Sequence, residues 1–185
     1  MASEFQRRKI AGVFAAMDAN SDGFLAKDDF EALTARWTGM RGVEPGSSAH
    51  VLLSGIMMGW WAALLGASDR DRDGQVSLDE VLSLVDRLPA MLDVVAATAN
   101  AMFEVVDENA DGEISAAEYR QLIEAWTGRA TDTDEIFARL DFNGDGHLSR
   151  TEFAGLWTEF WAGNTPEAPG TWTFGHFDLP TPAPR

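Results

Sequence analysis

Apolar residues recur along this chain with helical period. Ile10, Val13, Phe14 and Met17 fall at i, i+3, i+4 and i+7, which places them on one helical face. Tyr119, Leu122, Ile123 and Trp126 repeat that spacing, as do Phe153, Leu156, Trp157 and Phe160. Val51 to Ala67 is almost wholly apolar. It is shorter than the roughly 20 residues a membrane span needs and runs directly into an acidic stretch, so a buried helix is expected there. Thr131-x-x-Asp134 predicts a capping box opening a helix. Gly39, Gly42, Pro45 and Gly46 predict a turn, and Pro89 a break. The pattern is that of an all-α chain whose helices are separated by short polar segments.

Four of those polar segments repeat one another: 18–29, 69–80, 107–118 and 141–152. Each is twelve residues long, with oxygen-bearing side chains at positions 1, 3 and 5, Gly at 6, an aliphatic residue at 8 and an acid at 12. The spacing matches what a hard divalent cation requires. Calcium takes about 6–8 oxygens at roughly 2.3–2.6 Å, and alternate residues of a tight loop can aim their oxygens inward. Position 6 needs positive φ, which glycine adopts freely. Position 7 contributes its backbone carbonyl, so its side chain is free to vary. The closing acid begins the next helix and can bind through both oxygens. The expected ligands are Asp18, Asn20, Asp22, Phe24 and Asp29 in the first loop, and Asp69, Asp71, Asp73, Gln75 and Glu80 in the second. They are Asp107, Asn109, Asp111, Glu113 and Glu118 in the third, and Asp141, Asn143, Asp145, His147 and Glu152 in the fourth. Leu25, Val76, Ile114 and Leu148, at position 8, are expected to form short β-bridges between paired loops.

This is the EF-hand signature, and four copies in one chain exclude coincidence. The loops begin 51, 38 and 34 residues apart. The centre of the chain, Leu88-Pro-Ala-Met-Leu-Asp-Val-Val, is apolar rather than a long polar helix. With the long first interval, Asp29 in place of Glu and the tail from Phe160 to Gly175, the chain resembles the sarcoplasmic calcium-binding proteins, and in particular their bacterial, calerythrin-like relatives. The resemblance implies an all-α fold in which two EF-hand pairs pack into one compact domain. It also makes magnesium binding plausible. Many members of that family have lost loops, whereas all four here keep their ligands. The layout is similar to coelenterazine photoproteins too. Trp157, however, stands five residues beyond Glu152, where photoproteins carry an essential His, and Tyr119 is the only tyrosine.

The expected organisation is an N-terminal pair over residues 1–90, a C-terminal pair over 91–162 and a Pro-rich aromatic tail over 163–185 packing on the body. Trp172, Phe174 and Phe177 are its anchors. Met57, Met58, Trp60, Trp61, Trp157 and Trp161 are expected to fill the core, with a ligand cavity or Met-rich groove as the alternative.

Charge narrows the partners. Thirty acidic against fourteen basic residues give a net charge of −16, which repels nucleic acid and anionic membranes and attracts cations. There is no Cys, so disulfides and thiol chemistry are excluded. His50, His147 and His176 are scattered and form no zinc set or triad. No secretory leader is apparent behind Met1. The expectation is a cytoplasmic, monomeric non-enzyme with four Ca2+ sites, and with Mg2+ possible especially at the 18–29 loop, where Asp29 is one methylene short. Its partners are calcium ions, with no nucleic acid, no membrane and an unknown protein partner. Thirteen ligand carboxylates would face eight positive charges. A calcium buffer or signal modulator is the leading function. A sensor binding a partner helix and a calcium-gated carrier of an apolar small molecule are the alternatives.

Overall fold

The computed structural model describes residues 3–175. Phe177 and His176 lie outside the described residues, as do the last three prolines. Among the described residues there are eight α-helices and four very short strands. In order they are α1 (Glu4–Met17), β1 (Phe24–Leu25), α2 (Lys27–Met40), α3 (Ser48–Ser68), β2 (Val76–Ser77) and α4 (Leu78–Val85). After a 3-10 turn at Leu88–Ala90 come α5 (Leu92–Val106), β3 (Glu113–Ser115), α6 (Ala116–Thr127), α7 (Asp134–Leu140), β4 (His147–Ser149) and α8 (Arg150–Ala162). The fold is the expected all-α arrangement of paired helix-loop-helix units.

The pairing is made by the strands. β1 and β2 are antiparallel with Leu25 opposite Val76, and β3 and β4 with Ile114 opposite Leu148. All four of these position-8 side chains are fully buried. Each seals the base of its loop pair, as an apolar residue in a two-stranded ribbon must.

The two pairs share one core. α2 packs on α6, and α5 packs on both α3 and α8. The aromatic side chains interlock at the centre: Trp60 lies 5.4 Å from Trp126 and 6.0 Å from Trp157, ring centre to ring centre. The described tail, ending at Gly175, lies along α8 through a 3-10 turn at Pro169–Trp172. Phe174 is buried 4.6 Å from Phe160, 5.0 Å from Trp126 and 5.1 Å from Trp157. The Tyr119 hydroxyl reaches the carbonyls of Trp172 and Thr173 at 3.0 and 3.2 Å.

Two expectations fail. The helix over Val51–Ala67 forms, as part of α3, but most of it is not buried. Only 22% of its most apolar window lies inside the protein, and Val51 and Leu52 are more than 60% exposed. A helix laid on one layer buries a single stripe, here Leu53, Met57 and Trp61. α3 is the one helix among the described residues long and apolar enough, by length and composition, to cross a membrane. The second failure is the capping box at Thr131. α7 starts later, at Asp134, with Thr133 as its N-cap and no capping side chain on it. Thr131 is tied backward instead: its N–H donates to Glu124 Oε1 and its hydroxyl to the Arg129 carbonyl. Asp132 accepts from the Asp134 N–H at 3.1 Å in its place.

Candidate metal centre

Each loop is built by the same local device. A helix ends at position 1, and that Asp turns its carboxylate back over the loop to accept backbone N–H groups. Asp18 accepts from Asp22 and Gly23, Asp69 from Arg72 and Gly74, Asp107 from Asp111 and Gly112, and Asp141 from Gly144 and Gly146, all within 2.7–3.2 Å. The position-3 oxygens of Asn20, Asp71, Asn109 and Asn143 accept the position-5 N–H. The position-5 carboxylates of Asp22, Asp73, Asp111 and Asp145 accept the N–H of Phe24, Gln75, Glu113 and His147. These bonds wind the backbone into a ring with the side-chain oxygens gathered at one place.

The winding requires left-handed backbone. Position 6 is glycine in all four loops, with φ of 83–90°. Position 4 is left-handed too: Ser21, Arg72 and Ala110 lie at φ of 58–63°, and in the fourth loop Gly144 takes the position at 73°. Three loops therefore hold a strained non-glycine residue there.

The closing acids fold inward. Glu80 accepts the N–H of Arg70 and of Ser77, and Glu118 those of Glu108 and Ser115. Asp29, though shorter, makes the equivalent bonds to Ala19 at 2.9 Å and Ala26 at 2.8 Å. Asp29, one methylene shorter, thus spans the same two N–H positions as Glu80 and Glu118 do. Burial pushes the Asp29 carboxyl above its ordinary range, against the pull of those N–H donors. Glu80 moves the other way, held below its usual range by the N–H groups of Ser77 and Arg70. The fourth loop differs. The Phe142 N–H is spent on the Leu140 carbonyl, so Glu152 takes the Asn143 side-chain amide at 2.7 Å instead.

The oxygens fit a hard cation. Carboxylate oxygens of Asp69, Asp71 and Asp73 lie within 4.8 Å of one another, a separation that three like charges hold unfavourably without a positive ion between them. The other loops have Asn at position 3 and so one fewer charge. The position-7 side chains of the C-terminal pair meet across the ribbon, with His147 Nδ1 3.5 Å from Glu113 Oε2.

Two sets of supporting residues were not singled out from the sequence. Ser77, Ser115 and Ser149, at position 9, cap α4, α6 and α8 through the N–H of the closing Glu. Their capping-box spacing was visible in the sequence. Arg41, just past α2, was not visible by any motif. Its buried guanidinium donates to the carbonyls of Val105 and Val106 at the end of α5 and to Gln121, and lies 3.5 Å from Glu108. It ties the first half of the chain to the entrance of the third loop.

Comparison with known proteins agrees with this geometry. The family model of the EF-hand domain pair matches residues 96–158, and that of the single EF hand matches residues 10–34. Sarcoplasmic calcium-binding protein 1 from Astacus leptodactylus is 27% identical over 173 residues, covering 85% of this chain and 88% of its own length. The chain carries EF-hand units and is similar over most of its length to the sarcoplasmic calcium-binding proteins. Among solved structures, this EF-hand protein superposes on a Streptomyces coelicolor calcium-binding protein with a TM-score of 0.69 at 24% identity, covering 86% of this chain and 99% of the other. It superposes on the calcium-loaded apo form of the coelenterazine-binding protein from Renilla muelleri with a TM-score of 0.74 at 21% identity, covering 95% and 99%. The Astacus relative and the Streptomyces neighbour are calcium-binding proteins.

Proposed function

We propose that this EF-hand protein is an intracellular calcium buffer or signal modulator that fills all four loops and acts as a monomeric non-enzyme. The observation that carries the reading is that each loop gathers its position-1, -3 and -5 oxygens by bonds from its own backbone N–H groups. Asp, Asn and Glu side chains at positions 1, 3, 5 and 12, with the carbonyls of Phe24, Gln75, Glu113 and His147, would hold the ions. Bound calcium would supply charge neutralisation and no reaction chemistry. Magnesium would compete best at the 18–29 loop, where the closing acid is Asp29. The net charge of −16 speaks against nucleic acid or anionic membrane as partners.

Buffering is favoured over sensing by the shared core. The two pairs are joined by α2 on α6, α3 on α5 and Trp60 against Trp126 and Trp157, which leaves little freedom for either pair to open. Calorimetric titration with calcium, with and without magnesium, tests the proposal. Four sites are expected, and a stoichiometry of two or fewer would sink it.

A second reading, a calcium-gated carrier of an apolar small molecule, is favoured by one observation. An apolar cleft opens beside the N-terminal pair, in a fold shared with a coelenterazine-binding protein.

A further inference from the structure

α2 leaves the 18–29 loop, and its far end meets both helices of the 107–118 loop. The two loops belong to different strand pairs, so no β-bridge joins them. Two arginines make the junction. Arg36, on α2, donates through Nη1 to the carbonyls of Ala125 at 2.8 Å and Trp126 at 3.1 Å, in the last turn of α6. Arg41, the residue after α2, donates to the carbonyls of Val105 at 2.8 Å and Val106 at 3.1 Å, the last two residues of α5. The last four carbonyls of a helix have no partner within it, and that end carries partial negative charge. A guanidinium placed there makes strong, charge-assisted bonds.

The surroundings fit both side chains closely. Gly128 follows α6 with φ of 70°, and a Cβ on it would stand 2.9 Å from Arg36 Cζ. Glycine there serves the left-handed turn and also leaves room for the guanidinium. The Arg41 side chain is 7% exposed. Its Nε donates to Gln121 Oε1 at 3.0 Å, and Gln121 Nε2 donates in turn to Glu108 Oε2 at 3.1 Å. Arg41 itself lies 3.5 Å from that Glu108 oxygen. Val106 precedes Asp107 and Glu108 follows it, so Arg41 touches the chain on both sides of the third loop's first expected ligand.

We propose that Arg36 and Arg41 are positioning residues that couple calcium binding at the 18–29 loop to calcium binding at the 107–118 loop. The coupling rests on the reading that both loops hold ions. An ion at the first loop fixes Asp29, in the first turn of α2. The helix carries that placement to Arg36, seven residues and about 10 Å further on. Holding the near end of α5 and the far end of α6 fixes the angle between those helices. It thereby fixes where Glu118, at the start of α6, stands relative to Asp107. A second ion then meets helices already placed. The coupling is therefore positive and, as a difference of binding free energies, equal in both directions.

The test uses the full chain labelled with 15N. The Gly23 N–H donates to Asp18 and the Gly112 N–H to Asp107, so their amide resonances report the first and third loops separately. In the unaltered chain, Glu118→Gln should weaken calcium at the first loop about tenfold, and Asp29→Asn should weaken it at the third by the same factor. With Arg36→Met and Arg41→Met also in place, each effect should fall below about twofold. Arg36→Met alone, which leaves the buried Arg41 in place, should reduce each effect to about threefold. Glu152→Gln acts on the third loop through β3 and β4, and its effect on Gly112 should be the same with and without the arginines. A first loop indifferent to Glu118→Gln overturns the coupling. An effect that survives loss of both arginines overturns their role in it. Loss of the Glu152→Gln effect together with the arginines does so too, because they would then be supporting the C-terminal pair as a whole. A Gly23 or Gly112 resonance that does not respond to calcium overturns the four-loop reading and the coupling with it.

Discussion

The Asp29 carboxylate accepts the Ala19 N–H at 2.9 Å, the same bond that the longer Glu80 makes with Arg70 at 2.9 Å. A side chain one methylene shorter that makes the same bond leaves less room between the closing acid and the rest of the loop. A contracted loop favours the smaller ion, since magnesium binds at about 2.0–2.1 Å with octahedral geometry. Asp29→Glu should therefore lower magnesium affinity at this loop relative to calcium, by roughly tenfold, a difference of about 1.4 kcal/mol. Competitive calorimetry resolves it. An unchanged magnesium-to-calcium ratio would refute the argument from loop size.

Glu80→Gln, Glu118→Gln and Glu152→Gln each keep the side-chain volume and remove one closing charge. Each should weaken calcium at its own loop by roughly 10–100-fold, with a smaller effect on its strand-paired neighbour. Titration of the three variants checks this, and an unaltered affinity at the changed loop would show that its acid is not a ligand.

Chelation should loosen the N-terminal pair most. Asp69, Asp71 and Asp73 crowd within 4.8 Å, and Asp29 is buried with its carboxyl pushed above the ordinary range. Removing the ions leaves the second-loop carboxylates to repel each other and the buried Asp29 without a cation to favour its charged form. Near-ultraviolet circular dichroism should lose intensity on adding a chelator and regain it with calcium. Identical spectra in the two states would rule out coupling of binding to packing.

Lys9 is buried with its Nζ 3.0 Å from the Gly163 carbonyl and 4.9 Å from the centre of the Phe160 ring. Burial lowers its pKa to about 8, only partly offset by Glu159. Between that value and the unfolded value of 10.5, the unfolded chain holds more protons, so stability should rise with pH across that window. Lys9→Met should abolish the rise, which is on the order of 2 kcal/mol at its upper end. Urea midpoints of both proteins at pH 7, 8.5 and 10 would measure it, and parallel pH profiles would contradict it.

The loops were legible because their geometry is local. Asp18, Asn20, Asp22 and Gly23 interact within a few residues of one another, so spacing alone specifies the ring of bonds. The helices carrying Ile10, Phe14, Leu122 and Trp157 were legible for the same reason: their apolar faces repeat at helical period. The capping box at Thr131 was misread because Glu124, seven residues back, competed for the Thr131 N–H.

What the sequence by itself determined is four loops, the oxygen-bearing side chains they gather and the apolar position-8 residues that pair them. Only the tertiary structure decided how much of α3 is covered. Its composition is apolar on every face, so period gives no direction, and burial depended on where α2 and α5 lie. The same holds for Arg41, whose partners at Val105 and Val106 are more than sixty residues away. It holds also for the cleft beside Trp161, whose walls come from five helices that no local pattern brings together. Asp29 stands between the two cases: its identity is sequence, while its reach to Ala19 depends on where α2 lies.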